Sequence, residues 1–243
     1  MATALILGAT SDIAQAIAHR FASASYDLQL AARNPAPLEI LANDLRIRHR
    51  VEVQTLAFDA TEFDSHADFY HQLNPSPTVV VAVFGYLGDQ AQGEQDWQEA
   101  QAIINTNYTG AVSILNVVAE DFAAKKTGTI VGISSVAGDR GRGSNYLYGS
   151  AKAGFTAYLS GLRNRMFEAG VSVITVKPGF VDTRMTEDLD LPPLLTAKPA
   201  AVAKAVFQAV RKKQDVVYSK WFWKWIMLVI GLIPERLFKR LKL

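Results

Sequence analysis

From residue 4 to residue 176 the chain alternates short apolar runs with longer stretches at helical spacing, and few folds accept that order. Runs at 4–7, 28–31, 51–58, 78–84, 129–133 and 171–176 have the length of strands. The run at 78–84 is almost wholly apolar, as a strand covered on both faces must be. Between the runs, Ile13, Ala16, Ile17 and Phe21 recur at helical spacing, and residues 38–47, 62–73, 96–124 and 148–169 follow helical patterns. Strand and helix in regular turn build a parallel sheet, and right-handed crossovers lay helices on both of its faces. The expectation is an α/β chain. One doubly wound, Rossmann-type domain covers residues 1–220, and an apolar, basic helical tail covers 221–243.

With 243 residues and 49% hydrophobic side chains there is apolar surface enough for a large core, which excludes a disordered chain. The absence of cysteine removes disulfides, thiolate catalysis and sulfur-ligated metals. His19, His49, His66 and His71 lie too far apart for a ligand cluster, so no metal is expected. The first residues lack the basic, apolar and cleavable order of a secretion signal, which points to the cytoplasm. The net charge of +2 conceals a division. Residues 211–243 hold nine Lys or Arg against two acids, while the first 210 hold 16 against 21. An acidic body speaks against a nucleic-acid partner, and a basic, aromatic-rich end raises the question of a membrane.

The chemistry lies where strands end. Gly8-Ala-Thr-Ser-Asp-Ile-Ala14 sits at the passage from the first strand to the first helix. Gly8 permits a sharp turn, and Ser11 or Asp12 can cap a helix whose N–H groups would face a pyrophosphate. A capped turn without a ligand reads the same way. The second strand closes on Leu30-Ala-Ala-Arg33-Asn34, with no carboxylate for a ribose 2′-hydroxyl. The Arg33 guanidinium suits a 2′-phosphate instead, which favours NADP(H) over NAD(H). Asp59, past the third strand, fits an adenine amino group and a helix cap equally well.

Tyr148-Gly-Ser-Ala-Lys152 sets Tyr and Lys one turn apart on one face of a helix. A tyrosine near pKa 10 shuttles protons poorly at neutral pH, and a nearby ammonium favours its ionised form. Ser135 ends the preceding strand, at the carboxyl edge where open α/β sheets bind ligands, and can hydrogen-bond a carbonyl oxygen. Asn107, within Asn105-Thr-Asn-Tyr-Thr-Gly110, is placed to break the long helix locally and hold a water for proton relay.

These motifs in this order, with Pro178-Gly-Phe-Val-Asp-Thr183 beyond them, resemble the short-chain dehydrogenase/reductase family over residues 3–220. The resemblance implies reduction of a ketone by hydride from NADPH, with Tyr148 as general acid. It implies that Lys152 lowers the tyrosine pKa, that Ser135 orients the carbonyl and that Asn107 completes the relay. Cofactor contacts are implied for Gly8, Thr10, Ser11, Asp12, Ile13, Arg33, Asp59 and Gly85. They are also implied for Tyr148, Lys152, Pro178, Gly179, Val181 and Thr183. A homodimer or homotetramer, paired through the helices at 96–124 and 148–169, follows from the same likeness. Two departures stand out. Asp12 and Ala14 replace glycines of the first turn, and Ala82-Val-Phe-Gly85 replaces the usual Asn-Asn-Ala-Gly, losing side-chain amides that brace the sheet.

Gly8-Ala-Thr-Ser-Asp-Ile, Phe84-Gly-Tyr-Leu-Gly-Asp89 and the segment 135–145 look like the branch of decaprenylphosphoryl 2-keto-pentose reductases. That likeness implies a keto sugar carried on a polyprenyl phosphate. A fatty-acyl, steroid-like or other apolar ketone keeps the same chemistry, and a nucleotide-binding structural or sensing dimer is the non-enzymatic alternative. Arg140 and Arg142 either meet a substrate phosphate near the site mouth or stay solvated. Residues 221–233 are mostly apolar, yet well short of the roughly 20 needed to span a bilayer. With indoles beside cations, the tail is either an interfacial anchor at the inner leaflet or a segment packed on its own body or another copy.

Overall fold

The computed structural model describes residues 2–187 and 190–241. Seven strands form one sheet: β1 Thr3–Leu7, β2 Asp27–Ala32, β3 Val53–Ala57, β4 Val79–Ala82, β5 Thr129–Ile133, β6 Ser172–Pro178 and β7 Val216–Ser219. All pairings are parallel and the order is 3-2-1-4-5-6-7. The winding reverses between β1 and β4, which opens a crevice at their carboxyl ends. The helices are α1 Asp12–Ala22, α2 Leu38–His49, α3 His66–His71, α4 Gln90–Gly93 and α5 Trp97–Ile104. They continue with α6 Gly110–Lys125, α7 Tyr146–Met166, α8 Pro199–Lys212, α9 Trp223–Leu232 and α10 Glu235–Phe238.

Alternation along β1 divides the core. Ala4 and Ile6 face a layer containing Ile17, Phe21, Leu45, Val206 and Phe207, from α1, α2 and α8. Leu5 and Leu7 face Ile114, Phe122, Phe155 and Leu159, from α6 and α7. Both layers are closed, so every β1 residue is buried and the strand holds no polar side chain beyond Thr3. A strand clad on both faces reads as a continuous apolar run for this reason.

Several boundaries differ from the sequence expectation. The apolar run at 78–84 leaves the sheet after Ala82, because the N–H groups of Val83 and Phe84 both donate to the Leu7 carbonyl. The helix expected at 62–73 is a 3-10 turn, Phe63–Ser65, followed by the short α3. The helix expected at 96–124 is broken by a π turn at Asn105–Thr109, the local break anticipated for that segment. The structure adds three elements to the expected ones: α4, α8 and β7. The signal for α8 was present, with Pro199 in its first turn and Val202, Val206, Phe207 and Val210 buried along one face. The tail packs one side of α9 on the body, and no helix among the described residues is long and apolar enough to cross a membrane.

Candidate active site

The glycine turn is built from β1 outward. Gly8 has φ +87°, and a Cβ there would stand 2.6 Å from the Phe84 nitrogen, so no larger residue fits. The N–H groups of Gly8 and Ala9 both donate to the Ala31 carbonyl, at 2.9 and 3.0 Å. Ser11 is the helix cap, its Oγ accepting from the Ala14 N–H at 3.2 Å. The N–H groups of Asp12 and Ile13, first in α1, are left without an acceptor inside the helix, which suits an anionic group. The Asp12 carboxylate would repel such a group, but it accepts from the Arg184 N–H at 2.9 Å and from Arg184 Nε at 3.2 Å. Arg184 also donates to the Thr10 carbonyl, so a cation closes over the turn from the segment after β6.

Arg33 is exposed just past β2. Next along the sheet, past β3, Asp59 Oδ1 accepts from the Thr61 N–H and hydroxyl at 2.9 and 2.7 Å. Asp59 therefore braces its own turn, and the helix at 62–73, whose cap was one of its two readings, does not form as one piece.

A second cluster of expected site residues lies at the ends of β4 and β5. Ser134 Oγ donates to the Lys152 carbonyl at 3.1 Å and pairs with Thr156 Oγ1 at 2.7 Å, which fixes α7 against β5. Ser135 caps the turn Val136–Gly138 through the Ala137 N–H at 3.1 Å. Lys152 is buried, its Nζ donating to the Ile133 carbonyl at 3.1 Å and lying 5.7 Å from the centre of the Tyr148 ring. From the place of a Gly85 Cβ, Asn107 Oδ1 is 3.0 Å away and Lys152 Nζ 3.4 Å. Five expected residues thus converge: Gly85, Asn107, Ser135, Tyr148 and Lys152. Burial drives Lys152 down to about 8 and pushes Tyr148 up to about 12, with Ser135 opposing the latter in part. Burial therefore sets the direction at Tyr148, and the influence that opposes it is the hydrogen bond with Ser135.

Asn107 is fully committed within the chain. Its Nδ2 donates to the carbonyls of Tyr86 at 2.6 Å and Ile103 at 2.8 Å, while Oδ1 accepts from the Tyr86 N–H at 3.2 Å. The π turn thereby ties its amide to the main chain at Tyr86, the residue after the 82–85 turn.

The C-terminal cap forms the remaining wall. The Trp223 indole lies where a Gly179 side chain would stand, edge-on to Phe180 at 5.5 Å, with its Nε1 buried and lacking an acceptor. Val181 bridges to Ala197, and the hydroxyls of Thr183 and Thr186 are 3.3 Å apart. Arg140 donates to the Gly231 carbonyl at 3.0 Å, pairs with Glu235 at 2.7 Å and lies 4.1 Å over the Phe238 ring. Arg142 reaches Met227 Sδ at 3.5 Å, and its buried Nε has no partner. Neither arginine is simply solvated: the tail holds both. Sequence reasoning missed a cluster beneath them, in which Asp139 pairs with Lys177 at 2.5 Å and accepts from the Tyr218 hydroxyl at 2.9 Å. A lysine inside the otherwise apolar run before Pro178 was the available signal.

Comparison with known proteins places this geometry in a family. The short chain dehydrogenase model matches residues 2–192. An uncharacterized oxidoreductase of Mycobacterium tuberculosis is 37% identical, the match covering 99% of this chain and 97% of that protein. Another, from Streptomyces coelicolor, is 35% identical over 98% of this chain and 94% of its own. Among solved structures, the short-chain dehydrogenase from Sphingobium yanoikuyae in complex with NADPH aligns at a TM-score of 0.85 with 25% identity, covering 97% of each chain.

Proposed function

Because the chain belongs to the short-chain dehydrogenase/reductase family, we propose that it is an oxidoreductase reducing a ketone to a secondary alcohol with NADPH. The observation that carries this reading is the corner where Tyr148, Ser135 and Lys152 meet beside Gly85. At neutral pH a Tyr148 near 12 keeps its proton and a Lys152 near 8 keeps its charge. A carbonyl oxygen lodged between Ser135 and Tyr148 receives a hydrogen bond from each. Tyr148 gives up its proton as negative charge gathers on that oxygen, and the Lys152 ammonium stabilises the tyrosinate left behind. Asn107 serves by position, holding Tyr86 and the adjoining Gly85 against Lys152, so that the relay beyond Lys152 runs past its backbone.

NADPH, when bound, supplies the hydride. Gly8, Thr10, Ser11, Asp12 and Ile13 would hold its pyrophosphate, and Arg33 its 2′-phosphate in preference to NAD(H). Asp59 would face the adenine, with Gly85, Pro178, Gly179, Val181 and Thr183 around the nicotinamide. For substrate we favour an apolar ketone, in the first place a 2-keto sugar on a polyprenyl phosphate. Arg142, with an unpartnered buried Nε, is the better placed of the two arginines for that phosphate. A fatty-acyl or steroid-like ketone is the alternative. We take the working form to be a homodimer or homotetramer in the cytoplasm, with residues 221–243 toward the inner leaflet.

The test is NADPH oxidation against a panel of ketones, with Tyr148→Phe beside the wild type. The variant is expected to lose about 10²–10⁴-fold in turnover. Equal rates on an accepted ketone end the mechanism.

A further inference from the structure

The inward side of α9 rests on the body, with Trp223, Met227, Ile226 and Ile230 against Val136, Phe180, Leu195 and Tyr218. The outward side has no polar row to meet water. Trp225, Leu228, Val229 and Leu232 recur at i, i+3, i+4 and i+7, and Trp221 precedes them in line. Trp221 is 74% exposed, Val229 63% and Leu232 73%. A helix apolar all round is ordinarily buried, so this one lacks half of its cover.

The charge around the stripe identifies the cover. Lys224, Arg236, Lys239 and Arg240 are exposed beside it. The two acids of residues 211–243 are both taken by arginines of the body, Asp215 by Arg163 and Glu235 by Arg140. Among the described residues no acid pairs with Lys224, Arg236, Lys239 or Arg240. A second copy laid face to face would set like charges against each other across a two-fold axis. An anionic bilayer surface meets both demands, taking indoles at headgroup depth, aliphatic side chains just below, and cations against phosphates.

We propose that the outward face of α9, with the basic residues of α10 and its end, docks on an anionic lipid surface. The proposal deepens the reading of an apolar or lipid-linked substrate and rests on it only for its purpose, since docking needs no turnover. The same helix touches Val136, the neighbour of Ser135, so docking sets the catalytic corner about one helix diameter, ~10 Å, from the headgroups.

The full chain is co-sedimented with vesicles of phosphatidylcholine alone and of phosphatidylcholine mixed with phosphatidylglycerol, at low and high salt. Two variants accompany it, Trp225→Ser/Leu228→Ser/Leu232→Ser and Lys224→Glu/Arg236→Glu/Lys239→Glu, each checked for folding by circular dichroism. The wild type is expected on the anionic vesicles, about tenfold or more weaker in either variant and weaker again in high salt. No sedimentation with anionic vesicles overturns the proposal, as does binding that neither variant reduces. So does a triple-serine variant that turns a dimer into a monomer while vesicles bind nothing, which would give the face to a second copy. Vesicle binding without ketone reduction faults the catalytic reading alone, and reduction without vesicle binding faults this inference alone.

Discussion

At the ends of β4 and β5 the cleft is walled by polar groups that were buried and then tied to backbone. Lys152 is held by the Ile133 carbonyl, and Asn107 by Tyr86 and Ile103. In the cap beside it the wall is apolar, and half of its side chains are left outside. A buried polar group and an exposed apolar stripe are both debts of solvation, and the two regions settle them differently. The sheet-built wall does so with its own main chain, which also aims the groups. The cap has no such partner within the chain, so its outer face is available for something else. The sheet-built wall should therefore respond to mutation in chemistry, and the cap in docking and substrate affinity.

The largest effect belongs to Lys152→Met. Loss of the ammonium leaves a tyrosinate unsupported and should cost about 10³-fold in reduction. The same change should raise stability. Burial lowers Lys152 from 10.5 to about 8, so at pH 7 the charged form carries a penalty of about 3 kcal/mol. Below about 8 that penalty is fully present. Between about 8 and 10.5 the unfolded chain binds a proton that the folded one has released, so wild-type stability gains on the variant as pH rises. Melts at pH 7 should place the variant several degrees above the wild type, with the gap narrowing toward pH 10. Wild-type reduction should decline as pH climbs through about 8, where Lys152 loses its charge. A variant that melts lower at pH 7 would mean that Lys152 supports the fold.

Arg33→Ala sharpens the sheet-built side at its other end. The guanidinium is exposed, so its removal should change stability by no more than about 0.5 kcal/mol. Affinity for NADPH should drop about 10–100-fold with little change for NADH, as befits one charge-assisted phosphate contact. Titration of both dinucleotides decides it: equal losses would remove Arg33 from the 2′-phosphate.

The same division marks what could be read from the residues alone. The strands through β6, the glycine turn and the Ser135, Tyr148 and Lys152 spacing are local patterns, and local patterns survive in one dimension. The direction of the Tyr148 shift was not legible, because it depends on how deeply α7 is sunk against β5. Arg140 and Arg142 were placed correctly between two motifs, yet their partners lie 85 to 95 residues further along. No spacing rule reaches that far. The tail was legible as apolar and basic, but which side it would bury depended on the bare surface of Gly179 and on Val136. Lys177 was visible and went unused, though a lysine in an apolar strand demands a carboxylate and Asp139 was within reach.

The smallest effect is the most discriminating for the cap. Arg140 reaches the Gly231 carbonyl and Glu235 and lies over Phe238, while Glu235 itself is exposed. An ion pair with one exposed partner contributes at most about 1 kcal/mol, and the cation–π contact about as much. Arg140→Ala should therefore cost about 1–2 kcal/mol and Glu235→Ala less. Their effects on KM separate two roles for the arginine. If Arg140 clasps the cap, both variants raise KM two- to threefold for any accepted ketone, and the double variant is no worse than Arg140→Ala. If Arg140 binds a substrate phosphate, Glu235→Ala releases it and lowers KM for a phosphate-bearing ketone, while Arg140→Ala raises it. We expect the first pattern, because this guanidinium is already satisfied from three sides and Arg142 is not. Opposite KM shifts in the two variants would return Arg140 to the substrate and make the cap a part of the binding site.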